Sequence, residues 1–362
     1  MALQCGIIGI TGSGKTTLFN CLSTAKAQAG AFAGKANMGV IQVPDNRLYD
    51  LEKLQITDRI VHATVAIVDI PGLVRGAGNK ENSGNYFLSE IRNTDALIHV
   101  VRCFDDPTVP HPDGSVDPIR DIENVELELQ ARDLESVEKK ITRLEKLLKS
   151  GDKDAKRGIE VMQLYKAHFE SLLPARTIAI SESDKRFADD LFLLSAKPVL
   201  YVANVDAGSA IKGNRFSEKM DEYLKTQQAE LLIIAGKVEA EIAELESEDD
   251  RKMFLEDAGL FEPGVNKLVR AAYDLLNLRT FFTVGPKEIR AWTIHKGMTA
   301  PQAAGVIHSD LERGFIRAEV IKYNDFTTLG SEHACKEKGK LFVEGKNYVV
   351  EDGDLLNIRF NV

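Results

Sequence analysis

Short runs of apolar, often β-branched residues recur at Cys5–Ile10, Ala63–Ile70, Ala96–Cys103, Pro198–Ala203 and Leu231–Ala235, with longer stretches of helical spacing between them. Runs of that length read as buried strands, and their alternation with helices predicts a doubly wound, mostly parallel α/β sheet. Between the third and fourth runs the period changes. Leu127, Leu134, Ile141 and Leu148 recur every seven residues, with Val137 and Leu144 offset by three, among dense mixed charge. This predicts a long helix with a coiled-coil seam. Ser150-Gly151-Asp152 is a reversal signal, and Ile159, Met162, Tyr165, Phe169 and Leu172 form the apolar stripe of a returning helix, so the insertion reads as an α-helical hairpin. After Leu278 the texture shifts to strand-like runs at Arg279–Val284, Ile289–Ile294, Ile316–Ile321 and Leu355–Phe360, with turn signals at Gly285-Pro286, Glu344-Gly345 and Asp352-Gly353. Thr299-Ala300-Pro301 looks like the cap and first turn of one helix near Gln302–His308, giving a small α+β module at the end.

Composition narrows the class. With 362 residues, 44% apolar and 28% charged, the chain is long enough for two or three folded domains and lacks the bias of disorder. Its formal charge of −9 gives no global basic field, so a nucleic-acid partner would have to meet a local patch. Cys5, Cys21, Cys103 and Cys335 lie far apart without a C-x-x-C pair, which suits reduced thiols rather than a disulfide frame or zinc site. The first residues carry no basic n-region or cleavage site, and no apolar run approaches about 18 residues. A cytoplasmic chain without membrane or DNA partners is expected.

Gly9-Ile10-Thr11-Gly12-Ser13-Gly14-Lys15-Thr16 fits G-x-x-x-x-G-K-[ST] and stands between an apolar strand and a helical stretch, as its mechanism requires. Gly9, Gly12 and Gly14 permit a tight loop whose amides, with those of Ser13, Lys15, Thr16 and Thr17, face phosphate oxygens, and the following helix adds its positive end. Lys15 is expected to bridge the β and γ phosphates and the Thr16 hydroxyl to ligate Mg²⁺. Asp69-Ile70-Pro71-Gly72 follows the next strand, which puts a carboxylate at a strand's C-terminal end for the magnesium shell and the Gly72 N–H at the γ-phosphate.

Asn204 ends another strand in the slot where P-loop GTPases carry N-K-x-D. Here the slot reads Asn204-Val205-Asp206-Ala207, so the carboxylate that pairs with guanine is missing. Asn204 and Val205 are expected beside the base, adenine is favoured and GTP is the weaker ligand. His99, within an apolar run, reads as a satisfied core residue.

The whole chain resembles the YchF family of Obg-like ATPases, P-loop proteins of the translation-factor class. Besides the motifs above, Arg102-Cys103-Phe104-Asp105-Asp106, Asp113 through Asp121, and Gly345 through Asp354 carry the likeness. The resemblance implies a discontinuous P-loop G domain over 1–120 and 196–278, a helical insertion over 121–195 and a C-terminal TGS domain of β-grasp shape over 279–362. It also implies slow ATP hydrolysis and association with the ribosome. Read from the residues, ribosomal RNA contact would use the helical hairpin, with Lys139, Lys140, Arg143, Lys146 and Lys149 along one arm among diluting glutamates, and the terminal module. Leu73 stands where related GTPases place a water-orienting glutamine, and the histidine that substitutes for it in the family matches His111. Three positions depart from the family pattern. The loop is not of the G-x-P-N-V-G-K-S type, Ala207 replaces a glutamate of N-x-x-E, and the segment Ala31–Gly39 lacks the switch threonine. The last departure, with Leu73, keeps open an alternative: a non-hydrolysing ribosome-binding scaffold whose nucleotide is structural.

Overall fold

The structure is a computed structural model that describes residues 3–22, 37–70 and 90–361. Its strands are β1 (Gln4–Ile8), β2 (Asn37–Gln42), β3 (Ile60–Val61), β4 (Thr64–Asp69), β5 (Ala96–Cys103), β6 (Val199–Val205), β7 (Leu231–Ile234), β8 (Leu278–Val284), β9 (Ile289–His295), β10 (Phe315–Lys322), β11 (Leu341–Glu344) and β12 (Asp354–Phe360). The described residues form two compact units, one within 1–39 and 66–265, the other within 40–65 and 266–362.

In the first unit β4, β1, β5, β6 and β7 lie side by side in that order, every pair parallel. Each residue of β5 and β6 is buried, which is why these segments read as near-continuous apolar runs, interrupted by His99, Arg102 and Asn204, rather than as alternating ones. Parallel order brings the C-terminal ends of β1, β4, β5 and β6 to one edge, where such sheets bind ligands. One core joins Ile8, Val68, Leu97, Val101, Tyr201 and Ala203 to Ile122, Val125 and Leu129 of the long helix Pro118–Lys149. That helix starts with Pro118 after the Asp117 cap, whose side chain accepts the Arg120 N–H.

The helix turns at Gly151, in the left-handed region at φ 92°, and returns as Ala155–Glu170. A second cluster, including Val137, Ile141, Leu144, Met162, Tyr165 and Phe169, holds this hairpin together. The buried stripe follows the 3.6-residue drift of a straight helix rather than a strict seven-residue seam, so Leu127 and Leu148 at the ends of the expected seam are exposed. Where the hairpin meets the sheet, Asp133 accepts the N–H groups of Leu194 and Ser195, each at 2.8 Å. No described helix is long and apolar enough to cross a membrane.

The second unit is a sheet in the order β11-β10-β12-β8-β9-β3, antiparallel except for the pairs β12–β8 and β3–β9. The helix Ala300–Ile307 buries Ala300, Ala303 and Ala304 against Phe281, Ile294 and Leu356. Its start is the expected cap: the Thr299 N–H donates to Gln302 Oε1 at 2.8 Å. Residues 40–65 are fastened to this module by side chains. Arg47 pairs with Asp45 and Asp352 at 2.7 Å each, Asp352 also accepts the Thr280 N–H, and the Tyr323 hydroxyl donates to Asp50.

Candidate nucleotide site

The loop between β1 and the helix Lys15–Leu22 owes its shape to three glycines at positive φ: 146° at Gly9, 80° at Gly12 and 96° at Gly14. Two of them are also fixed by space. A Cβ on Gly9 would stand 2.3 Å from the Val100 carbonyl oxygen, and one on Gly14 2.1 Å from Asn204 Nδ2. Lys15 is 7% exposed, and its Nζ donates to the Ile10 carbonyl at 2.8 Å across the loop. Burial pulls its ammonium down to about 8, while Asp69 pulls the other way. Thr17 is exposed on the first helical turn.

Thr16 Oγ1 donates to Asp69 Oδ2 at 2.9 Å, so the loop and the end of β4 meet at the two groups expected to share a metal. Asp69 is 6% exposed, its Oδ1 has no hydrogen-bond partner, and burial pushes its carboxyl up against the opposing pull of Thr16 and Lys15. A hydroxyl beside a carboxylate with one idle oxygen is a hard donor set that suits Mg²⁺. Gly72 lies outside the described residues, as do Leu73 and Ala31–Ala36.

Asn204 works as a brace. Its Nδ2 donates to the Ser13 carbonyl at 2.9 Å and its Oδ1 accepts the Gly236 N–H at 2.9 Å. The side chain thereby ties the phosphate-binding loop to the start of the helix Gly236–Glu244 after β7. Farther along that helix Glu239 caps the start of the helix Gly264–Leu275, accepting the Gly264 N–H at 2.7 Å and the Val265 N–H at 3.3 Å. Val205, 2% exposed, turns its side chain into the core and offers a ligand no side-chain contact. Asp206 Oδ2 accepts from the Ser209 hydroxyl and from Asn214 Nδ2, which engages the carboxylate nearest the base slot. Ser13 Oγ is buried without a partner.

Beyond β5 the chain loops back over the phosphate site. Arg102, 1% exposed, donates to the carbonyls of Phe104, Asp106 and Val109 at 3.1, 3.3 and 2.7 Å and lies over the Phe104 ring. The loop runs close to Gly12, for a Cβ there would touch Val109 Cγ1 at 3.4 Å. His111 follows directly, yet its ring points to the long helix. Nε2 stands 2.9 Å from Asp121 Oδ2, and Nδ1 accepts the Asp113 N–H at 3.1 Å. It is therefore a buried, fully bonded side chain rather than an exposed loop histidine. Burial pushes the Asp121 carboxyl up, opposed by His111 and Arg120.

The fold thus brings Gly9, Gly12, Ser13, Gly14, Lys15, Thr16, Asp69 and Asn204 together, and turns the rings of His111 and His99 elsewhere. His99 is a core residue packed on Tyr201, held down to about 3 by burial, but its Nδ1 has no partner. The four cysteines are free thiols. The clamping role of Arg102 and the parts played by Gly236 and Glu239 escape motif reading. A lone arginine inside an apolar strand and a glycine directly after one were the only signals.

Known proteins match this arrangement from end to end. Residues 4–146 fit the family described as MMR_HSR1, 50S ribosome-binding GTPase, and residues 278–361 the family described as YchF-GTPase_C, a protein of unknown function. The ribosome-binding ATPase YchF of Bacillus subtilis (strain 168) is 47% identical over 367 residues, covering 100% of both chains. That of Escherichia coli O157:H7 is 43% identical over 365 residues with the same coverage. The solved structure of the Schizosaccharomyces pombe YchF GTPase superposes with a TM-score of 0.87 at 31% identity, covering 99% of this chain and 97% of that one. Likeness of that extent in both sequence and fold makes this chain a member of the YchF family.

Proposed function

We propose that this chain binds ATP as its magnesium complex, hydrolyses it slowly and uses the nucleotide state to set its association with the ribosome. The observation that carries the reading is the buried Lys15 beside the Thr16–Asp69 pair, at the mouth of a loop shaped by three positive-φ glycines. In this reading the amides of Gly9 through Thr17 and of Gly72 hold the phosphates, with Lys15 bridging the β and γ groups. Thr16 and Asp69 hold Mg²⁺, which neutralises charge on the phosphate oxygens when bound. Asn204 and the Val205 backbone border the base. Adenine is preferred because Asp206 is engaged by Ser209 and Asn214, and GTP is a weaker ligand. The relatives are named both ATPase and GTPase, so base choice is a point to measure.

Water is oriented by His111, since Leu73 has no group to do so. The three functional parts are the G domain, the helical insertion and the C-terminal module, in which 279–362 acts as a TGS domain. Ribosomal RNA is met by the exposed basic residues of the insertion, Lys139, Arg143, Lys146 and Lys149, in the cytoplasm, whereas Lys140 is buried on Asp190 and drops out of the expected set. The test is calorimetry of ATP and GTP with Mg²⁺, then phosphate release with and without ribosomes. Micromolar ATP binding that Lys15→Ala abolishes is expected. Failure of both nucleotides to bind in that range would sink the proposal.

A further inference from the structure

Asp121 stands in the first turn of the helix Pro118–Lys149, and among the described residues its Oδ2 is the hydrogen-bond partner of His111 Nε2, at 2.9 Å. Both side chains are almost wholly enclosed, at 3% exposure for His111 and 1% for Asp121. Because Nδ1 accepts the Asp113 N–H, the bonding pattern assigns the proton to Nε2, which donates it to the carboxylate. Arg120 flanks the pair, 3.3 Å from Asp121 Oδ1 and 3.7 Å from Asp113. Just before His111, Val109 is clamped by Arg102 next to Gly12. The loop is thus pinned beside the phosphate site at one residue and to the long helix two residues later. A ring with both nitrogens bonded and almost no exposure has no position left for a water molecule.

We propose that Asp121 is a positioning residue that acts through His111: it latches the imidazole in this docked orientation, and hydrolysis proceeds only when the ring leaves it. The inference rests on the reading of His111 as the water-orienting group. A ligand or partner that favours the released ring accelerates turnover by shifting that balance. A charge-assisted hydrogen bond in an enclosed site biases it by about ten-fold or more toward the docked ring.

The experiment compares wild type with Asp121→Asn, which keeps the shape and loses the charge, and Asp121→Ala, each with and without His111→Ala. Steady-state ATP turnover is measured without ribosomes, and the ¹⁵N resonances of the His111 ring are recorded. Turnover at saturating ATP is expected to rise about ten-fold in Asp121→Ala and less in Asp121→Asn, with KM nearly unchanged. His111→Ala should remove the gain, and the ring should pass from the Nε2–H tautomer in wild type to a mixture in the variants. If Asp121→Ala does not fold, Asp121→Asn decides. Turnover that is unchanged or lower in the folded variants overturns the latch, as does a gain that survives His111→Ala or a wild-type ring free in solution. No turnover by wild type, even with ribosomes, overturns the ATPase reading instead.

Discussion

Around Gly12–Lys15 the groups that would meet a ligand are main-chain amides and one ammonium. Around Asn204–Ala207 the side-chain polar groups are already paired within the protein. The first region is built from backbone geometry, so it tolerates departures from the family's loop sequence as long as the glycine conformations survive. The second is built from side chains whose first duty is to hold the first in place. Grip on polyphosphate and choice of base are therefore separable, and Asn204 is the hinge of the comparison, a base-side residue with a phosphate-side role.

The sharpest break is at Gly14. Gly14→Ala places a Cβ where Asn204 Nδ2 now stands and demands a positive φ, so a loss of about 3 kcal/mol in urea unfolding and of all measurable ATP binding is expected. Gly12→Ala, whose nearest neighbour is 3.4 Å away, should cost only about 1 kcal/mol. Equal losses at both positions would mean that the Asn204 contact is not what distinguishes them.

Next comes the brace itself. Asn204→Ala leaves the Ser13 carbonyl and the Gly236 N–H without partners, which costs about 2 kcal/mol and lowers affinity for ATP and GTP by the same factor, about ten-fold. A selective loss of one nucleotide would show Asn204 to be mainly a base reader.

A smaller effect follows from Lys15. Its ammonium titrates at about 8 when folded against 10.5 for an ordinary lysine, so between those values the unfolded chain binds more protons and this group adds stability as pH rises. A bound triphosphate favours the ammonium again. Calorimetry at about pH 9 in buffers of different ionisation enthalpy should therefore show uptake of up to about one proton on ATP binding, and affinity should fall as pH rises through that range. Smallest of all, Ser13→Ala removes a buried hydroxyl without a partner and should raise stability by about 1 kcal/mol with nucleotide affinity kept.

Much of the fold was legible because its signals are local. Fully buried strands such as Ala96–Cys103 and Val199–Val205 leave near-continuous apolar runs, and Gly151 and Thr299–Gln302 announce a turn and a cap. The short strands Ile60–Val61 and Leu341–Glu344 left no such trace. Nor did the fastening of residues 40–65 by Arg47, Asp50 and Asp352, since its partners are remote in sequence. The same division runs through the site. Glycines, Lys15, Thr16 and Asp69 sit in a motif with a mechanism, whereas the brace from Asn204 to Gly236, the Arg102 clamp and the docking of His111 on Asp121 depend on contacts made only after folding.

The most direct test is a crystal structure grown with magnesium and a non-hydrolysable ATP analogue. Lys15 Nζ should leave the Ile10 carbonyl for the β and γ phosphates, the metal should stand between Thr16 and Asp69, and Asn204 should keep both of its present partners. A polyphosphate bound elsewhere, with Thr16 still donating to Asp69 and Lys15 still on Ile10, would contradict the assignment of this loop as the triphosphate site.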